Sequence, residues 1–116
     1  MREQMEKQYP ECTNELLDNF DKAYSLWCRK QHDYGDSNIR LGLDLNPSSS
    51  EYSHNNRLAQ LGIVIRMHDK LSRLMNLYKK DKADASAVNE SIEDTCIDVM
   101  NYANMLMVLR SGKWSK

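Results

Sequence analysis

The sequence predicts an all-α protein: a small helical bundle with three main helices and one long loop. Three observations carry that expectation. Strand-favouring residues are scarce, with one Phe in 116 residues and Ile63-Val64-Ile65 as the chief β-branched run. Apolar residues recur at spacings of three and four through three long segments. The four Gly and two Pro fall mostly between those segments, where helices stop.

The size bounds the rest. A mass of 13.6 kDa accommodates a single domain spanning 1–116, with its core expected at about 11–110. Hydrophobic residues make up 41% and charged residues 28%, the composition of a globular chain and not of a disordered one. Sixteen basic against seventeen acidic residues give a net charge of -1, which disfavours nucleic-acid binding through bulk positive charge. No apolar run approaches the roughly 20 residues that span a bilayer, so no membrane partner is expected. The start, Met-Arg-Glu-Gln-Met-Glu-Lys, lacks the apolar centre of a signal peptide. Cys12, Cys28 and Cys96 are odd in number and form no CxxC pair. Reduced thiols in a cytoplasmic protein are the simplest account.

A first helix is expected over about 11–32. Pro10 suits its first turn, Thr13 or Asn14 could cap a later start, and Leu16, Phe20, Ala23, Tyr24 and Trp27 give it an apolar stripe. That stripe reads first as a core face and second as a base-stacking surface. Residues 33–54 break the pattern with Gly35, Gly42, Pro47 and three consecutive serines. A loop that long in a small domain points to mobility or to a ligand. A short helical turn could sit in Asn38–Leu43.

The second helix is expected over about 53–80. Leu61, Val64, Ile65, Met67, His68, Leu71, Leu74, Met75 and Tyr78 fill one wide arc, read as buried. Arg66, Asp69, Lys70, Arg73 and Asn76 lie opposite, with Gly62 leaving room beside them for a ligand or a crossing helix. The third helix is expected over about 90–110, with Asn89 as a cap and Gly112 as a stop. Ile92, Cys96, Val99, Tyr102, Ala103, Leu106 and Leu109 form its main apolar face. From Val99 onward nearly every side is apolar, so this helix should be enclosed by partners in the fold or in an oligomer.

One constellation invites chemistry. Glu90, Asp94, Asp98 and Asn101 share one side of the third helix, with Glu93 on the flank. Asp98 lies where the turns become apolar, and an unpaired carboxylate there would be penalised by several kcal/mol. It needs a cation, a charged partner or a proton. Two solutions stay open. Arg66, Lys70 and Arg73 could pair with the acids in a structural network. Alternatively Asp69 joins Glu90, Asp94 and Asp98 around Mg²⁺ or Mn²⁺, which suit all-oxygen ligands, and the basic residues stay free for phosphate. Nothing competes with this cluster. His32, His54 and His68 show no metal-ligand spacing, His68 reads as a core histidine, and no Gly-rich phosphate loop is present. Cys28 and Cys96 sit on expected core faces, where a free thiol is usually inert, and a cysteine nucleophile stays open as an alternative.

Three stretches carry a family resemblance. They are Lys30-Gln31-His32-Asp33-Tyr34-Gly35-Asp36-Ser37-Asn38, the run Leu61 to Leu74 that holds Arg66, Asp69, Lys70 and Arg73, and the run Asn89 to Ala103 that holds Glu90, Glu93, Asp94, Asp98 and Asn101. In combination they resemble the phage and bacterial family called nucleotide modification-associated domain one. That family looks related to the MazG-like all-α nucleoside triphosphate pyrophosphohydrolases. The resemblance implies a helical bundle completed as a dimer or tetramer, with Mg²⁺ held by acids on two adjacent helices. The later-helix pattern falls on Asp94 and Asp98, with Glu90 one turn earlier. The earlier-helix "EExxE" pattern is replaced by Arg66, Asp69, Lys70 and Arg73, of which only Asp69 matches in charge.

The implied mechanism is hydrolysis of a deoxynucleoside triphosphate, or a modified nucleotide, to monophosphate and pyrophosphate. Asp69, Glu90, Asp94 and Asp98 would hold metal, and Glu93 or Glu90 would orient the attacking water. Lys30, Arg66, Lys70 or Arg73 would offset phosphate charge. Tyr34 and Asn38 would meet base or sugar, with Asp33 in reach of the site and Asn101 beside it. Tyr34 could equally pack the loop onto the first helix. The setting would be phage nucleotide metabolism in the host cytoplasm. The alternative is a module that binds a nucleotide or a protein without hydrolysis, favoured by the reduced acidic set on the second helix.

Overall fold

The computed structural model describes residues 1–35, 39, 42–80 and 85–116, the side chains of 85–87 excepted. Its helices are α1 (Arg2–Gln8), α2 (Pro10–Tyr34), α3 (Tyr52–Lys79) and α4 (Ala85–Arg110). No strand occurs among the described residues. The three long helices match the expected segments, and α4 begins a turn and a half earlier than expected, which places Asn89 inside it and not at its cap. The short α1 was not expected. It buries no residue, and Pro10 then opens α2 with the fixed φ and absent N–H that a first turn tolerates.

Helix α4 is the centre of the bundle: α3 packs along it and α2 meets it less extensively. Two contacts, one near the start of α3 and one near its middle, fix α3 and α4 as antiparallel. Asn56 Nδ2 donates to Leu109 O at 3.2 Å, and Lys70 reaches Asp98. The core is small and lies toward one end. Ile39, Ala59, Ile63, Met105 and Leu109 are buried there, flanked by Trp27, Leu45, Met67, Tyr102, Leu106 and Trp114. Ile39 brings the interhelical segment into this core, and Asn55 Nδ2 holds the same segment by donating to Asp44 O at 3.0 Å. Gly112 ends α4 at φ +74. Lys113 N bonds back to Val108 O and Gly112 N to Leu109 O, the paired bonds of a Schellman stop.

Several packing expectations are corrected. The buried side of α3 is Ala59, Ile63 and Leu77, with Arg66 and Lys70 half-buried on the same side. Leu61, Val64, Ile65, Leu71, Met75 and Tyr78, expected inside, are exposed. His68, expected in the core, has 81% of its side chain exposed. On α2 only Ala23 is buried, and Leu16, Phe20 and Tyr24 face outward. Cys28 and Cys96 are exposed as well. The physical reason is shared. A helix with apolar residues on two sides does not reveal which side its neighbour takes, and α3 offered α4 its small and long-stemmed residues.

Candidate functional site

The site is built where α2, α3 and α4 come together around Asp98. Its carboxylate is 18% exposed and accepts from two ammonium groups. Lys30 Nζ from α2 lies 3.3 Å from Oδ1, and Lys70 Nζ from α3 lies 3.0 Å from Oδ2. Both lysines bring their charge to the bundle along apolar stems, which a helix-facing Lys can bury while its head stays polar. Lys70, 27% exposed, is the better shielded of the two. The charges do not cancel. Two ammonium groups around one carboxylate leave one positive charge in excess, so the cluster satisfies Asp98 and still attracts anions.

A cleft of about 200 Å³ opens on this cluster, lined by Trp27, Lys30, Tyr34, Asp98, Asn101 and Tyr102 over a floor of Met105. A second cleft of about 290 Å³ shares Trp27, Asn101 and Met105 with it and continues to Tyr24, Val108 and Trp114. Trp27 forms the common wall. Its ring stacks on Tyr24 at 6.3 Å with an interplanar angle of 7°, and meets Trp114 edge-on at 6.2 Å and 80°. The buried Trp114 Nε1–H finds no acceptor among the described residues. A buried donor of this kind costs roughly 1–3 kcal/mol until it is paired. Asn101 fixes the geometry between the clefts, because its Nδ2 donates to Ala23 O at 2.9 Å and ties α4 to α2. Tyr24, at the outer edge, is held above its ordinary 10.0 by a hydrogen bond with Cys28 one turn on, then by the charge of the Cys28 thiolate.

The other expected site residues are distributed as follows. Lys30, Tyr34, Asp98 and Asn101 meet at the first cleft, and Lys70 joins them through Asp98. Arg66 lies one turn from Lys70 and is half-buried, whereas Arg73 is exposed. Glu90 and Asp94 are exposed on α4, and Glu93 turns to Lys22 of α2 at 3.3 Å. Asp33 is exposed beside His32 at 3.4 Å. Asp69 is 76% exposed, with His68 at 3.9 Å. Asn38 lies outside the described residues. Trp27 entered only through the second reading of its stripe, base stacking, and Trp114 was missed as a site residue. Trp27 stands three residues before Lys30, one helical turn away, and that spacing was the signal. Trp114 offered none, because only the fold returns the C-terminal segment to α2.

A Mg²⁺ ion needs several oxygen ligands together. Here both Asp98 oxygens face ammonium groups, Glu93 faces Lys22, and Asp69 stands away beside His68. Among the described residues no three His, Cys, Asp or Glu side chains come close enough to hold a metal ion. Among the described residues, Asp69, Glu90, Asp94 and Asp98 are therefore not gathered into one all-oxygen cluster. The arrangement does suit a flat, partly polar ring next to an anionic group.

An all-α bundle with an anion-attracting cluster beside an aromatic cleft is thus the class of protein that fold and site define. The chain belongs to the nucleotide modification associated domain 1 family, whose model matches residues 30–109. That span contains Lys30, Lys70, Asp98 and Asn101, while Tyr24, Trp27 and Trp114 lie outside it. No match was found among curated proteins or solved structures. No described helix is long and apolar enough to cross a membrane.

Proposed function

We propose that the paired clefts bind a nucleotide, with its phosphates at Lys30 and Lys70 and its base against Trp27. The observation that carries this reading is the Lys30–Asp98–Lys70 cluster, which holds surplus positive charge next to a stacking surface. Family membership points the same way. Asp98 acts as a stand-in for phosphate: it keeps two lysines converged when no ligand is there, and phosphate oxygens then compete for them. Charge-assisted contacts to two ammonium groups supply the affinity. The base gains stacking on the indole, and a base carbonyl can accept from the otherwise unpaired Trp114 Nε1–H.

The finer form of this reading is Mg²⁺-dependent pyrophosphohydrolysis of a deoxynucleoside triphosphate within phage nucleotide metabolism. Glu90, Asp94 and Asp98 on successive turns of α4 favour it. It requires phosphate to draw both lysines away from Asp98 before that carboxylate can serve a metal. Binding without hydrolysis needs only that phosphate share the lysines with Asp98, not that the carboxylate be freed for a metal, and is the reading the geometry supports best.

The two tryptophans of the chain both line the clefts, so intrinsic fluorescence reports occupancy directly. Ribo- and deoxynucleoside mono- and triphosphates are titrated with and without Mg²⁺, and the same mixtures are then separated for monophosphate and pyrophosphate. Saturable quenching without product supports the binding module. Product that needs Mg²⁺ and vanishes in Asp94→Asn establishes the hydrolase. No quenching by any nucleotide removes the reading.

A further inference from the structure

We propose that a polar cleft between the start of α3 and the end of α4 is a second anion site, which takes a phosphate group between the guanidinium groups of Arg57 and Arg110. The cleft has a volume of about 260 Å³ and is lined by Tyr52, Asn56, Arg57 and Gln60 of α3 and by Leu109 and Arg110 of α4. It lies apart from the Lys30–Asp98–Lys70 cluster, because Leu109 follows Asp98 by about 16 Å along the helix. None of these residues falls in the three stretches that carry the family resemblance. The site therefore stands independently of the nucleotide reading.

The floor of the cleft fixes which hydrogens face outward. Asn56 is buried, and its Nδ2 donates to Leu109 O at 3.2 Å and to Tyr52 Oη at 3.3 Å. Its Oδ1 accepts from Gln60 Nε2 at 2.6 Å. The Leu109 carbonyl can only accept, so it sets the orientation of the Asn56 amide, and the amide sets the rest of the chain. Tyr52 Oη accepts from Asn56, so its own hydrogen points elsewhere and meets no acceptor among the described residues. One hydrogen of Gln60 Nε2 goes to Asn56 and the other is left over. The turn after α4 packs against the same hydroxyl, since a Cβ at Gly112 would stand 3.3 Å from Tyr52 Oη. Donors held in this way are oriented before any ligand arrives.

The charge is uncompensated. Among the described residues no carboxylate lines the cleft, and neither arginine is ion-paired. Arg110 ends α4, where a helix terminus favours a cation. Arg57 has no such support, because it stands in the second turn of α3, toward the positive end of that helix. Two cations on one cleft repel each other and attract an anion. The donors choose which anion. Each guanidinium offers a fork of N–H groups, and Tyr52 and Gln60 add one donor each. Two forks saturate both oxygens of a carboxylate and leave Tyr52 and Gln60 without an acceptor. A phosphate has a third terminal oxygen to receive them. Inorganic phosphate and a small phosphate monoester share that chemistry.

The arginine Nε–H resonances of the full, ¹⁵N-labelled chain test it. Inorganic phosphate, glycerol phosphate and acetate are titrated separately at constant ionic strength. With phosphate, the Arg57 and Arg110 signals should shift saturably with one common midpoint, while that of Arg29, exposed on α2, drifts without saturating. Arg57→Gln and Arg110→Gln should each weaken binding about 10-fold or more, read from the arginine that remains. Both side chains are exposed, so circular dichroism should not change. Tyr52→Phe keeps the ring and the Asn56–Leu109 bond, and should weaken binding about threefold. The tighter of inorganic phosphate and glycerol phosphate identifies the occupant as the free ion or a monoester. Arg57 and Arg110 signals that only drift with both phosphates overturn the proposal. So does acetate that binds as tightly as phosphate, or any of the three variants that binds as the wild type does. These signals report this cleft alone, so the outcome does not depend on whether a nucleotide binds at Trp27.

Discussion

Lys70 Nζ stands 3.0 Å from Asp98 Oδ2, joining the middle of α3 to the middle of α4. With Lys30 on the other oxygen, this contact makes one carboxylate the meeting point of three helices. Asp98 was recognisable as a group in need of compensation. The compensation proved to be two ammonium groups, and that shapes what the site can attract.

Replacing Asp98 by Asn separates the two readings of the cluster. The amide keeps the shape and removes the charge that competes for the lysines. Phosphate binding should tighten several-fold, while stability falls by about 1 kcal/mol through loss of partly exposed ion pairs. Titration by tryptophan fluorescence and chemical denaturation read the two effects. Weaker binding in this variant would make Asp98 part of the ligand contact and not a competitor.

Lys30→Ala and Lys70→Ala should each weaken nucleotide binding by about 10-fold or more, the usual loss for one charge-assisted hydrogen bond. The effect should shrink as salt rises, more for the exposed Lys30 than for Lys70, because screening acts chiefly on exposed charge. Affinity measured across a salt series checks both the size and the order.

Leu109 is 1% exposed and carries the small core together with Ile63. Leu109→Ala should cost about 2–5 kcal/mol, the range for a buried leucine truncated in a packed site. Met107, two residues earlier and 69% exposed, should cost under about 0.5 kcal/mol on the same change. Urea unfolding midpoints of the two variants make the comparison.

Tyr24 should ionise above its ordinary 10.0 because of its hydrogen bond with Cys28 and, after that, the Cys28 charge beside it. The raised value means that the folded chain favours the neutral phenol, and that preference is lost as pH rises through it. Cys28→Ala should return the tyrosine to the ordinary range. The difference between the two tyrosinate absorbance titrations isolates this one group among six tyrosines.

Much of the site was legible beforehand in its parts. Lys30, Tyr34, Lys70, Asp98 and Asn101 were all expected near a ligand, and four of them line one cleft. Their pairing was not legible. Asp69 and Lys70 are adjacent in sequence, and about 100° of rotation puts the lysine against α4 and the carboxylate in solvent. The C-terminal part of the aromatic cleft escaped for a different reason. Trp114 reaches Trp27 only because the chain turns at Gly112 and packs its last residues back against α2.

By itself the sequence determined the helical class, the three long helices, the loop between the first two and the need of Asp98 for a partner. These follow from local periodicity, from Gly and Pro, and from the cost of an unpaired carboxylate, none of which depends on a neighbour. Only the tertiary structure decided which side of α3 lies inside. Apolar residues occupy both sides of that helix, and the choice rests on which surface fits α4. Ala59 and Ile63 allow close approach, and the long stem of Lys70 can cross the contact and end on Asp98. The wider apolar stripe was left facing outward.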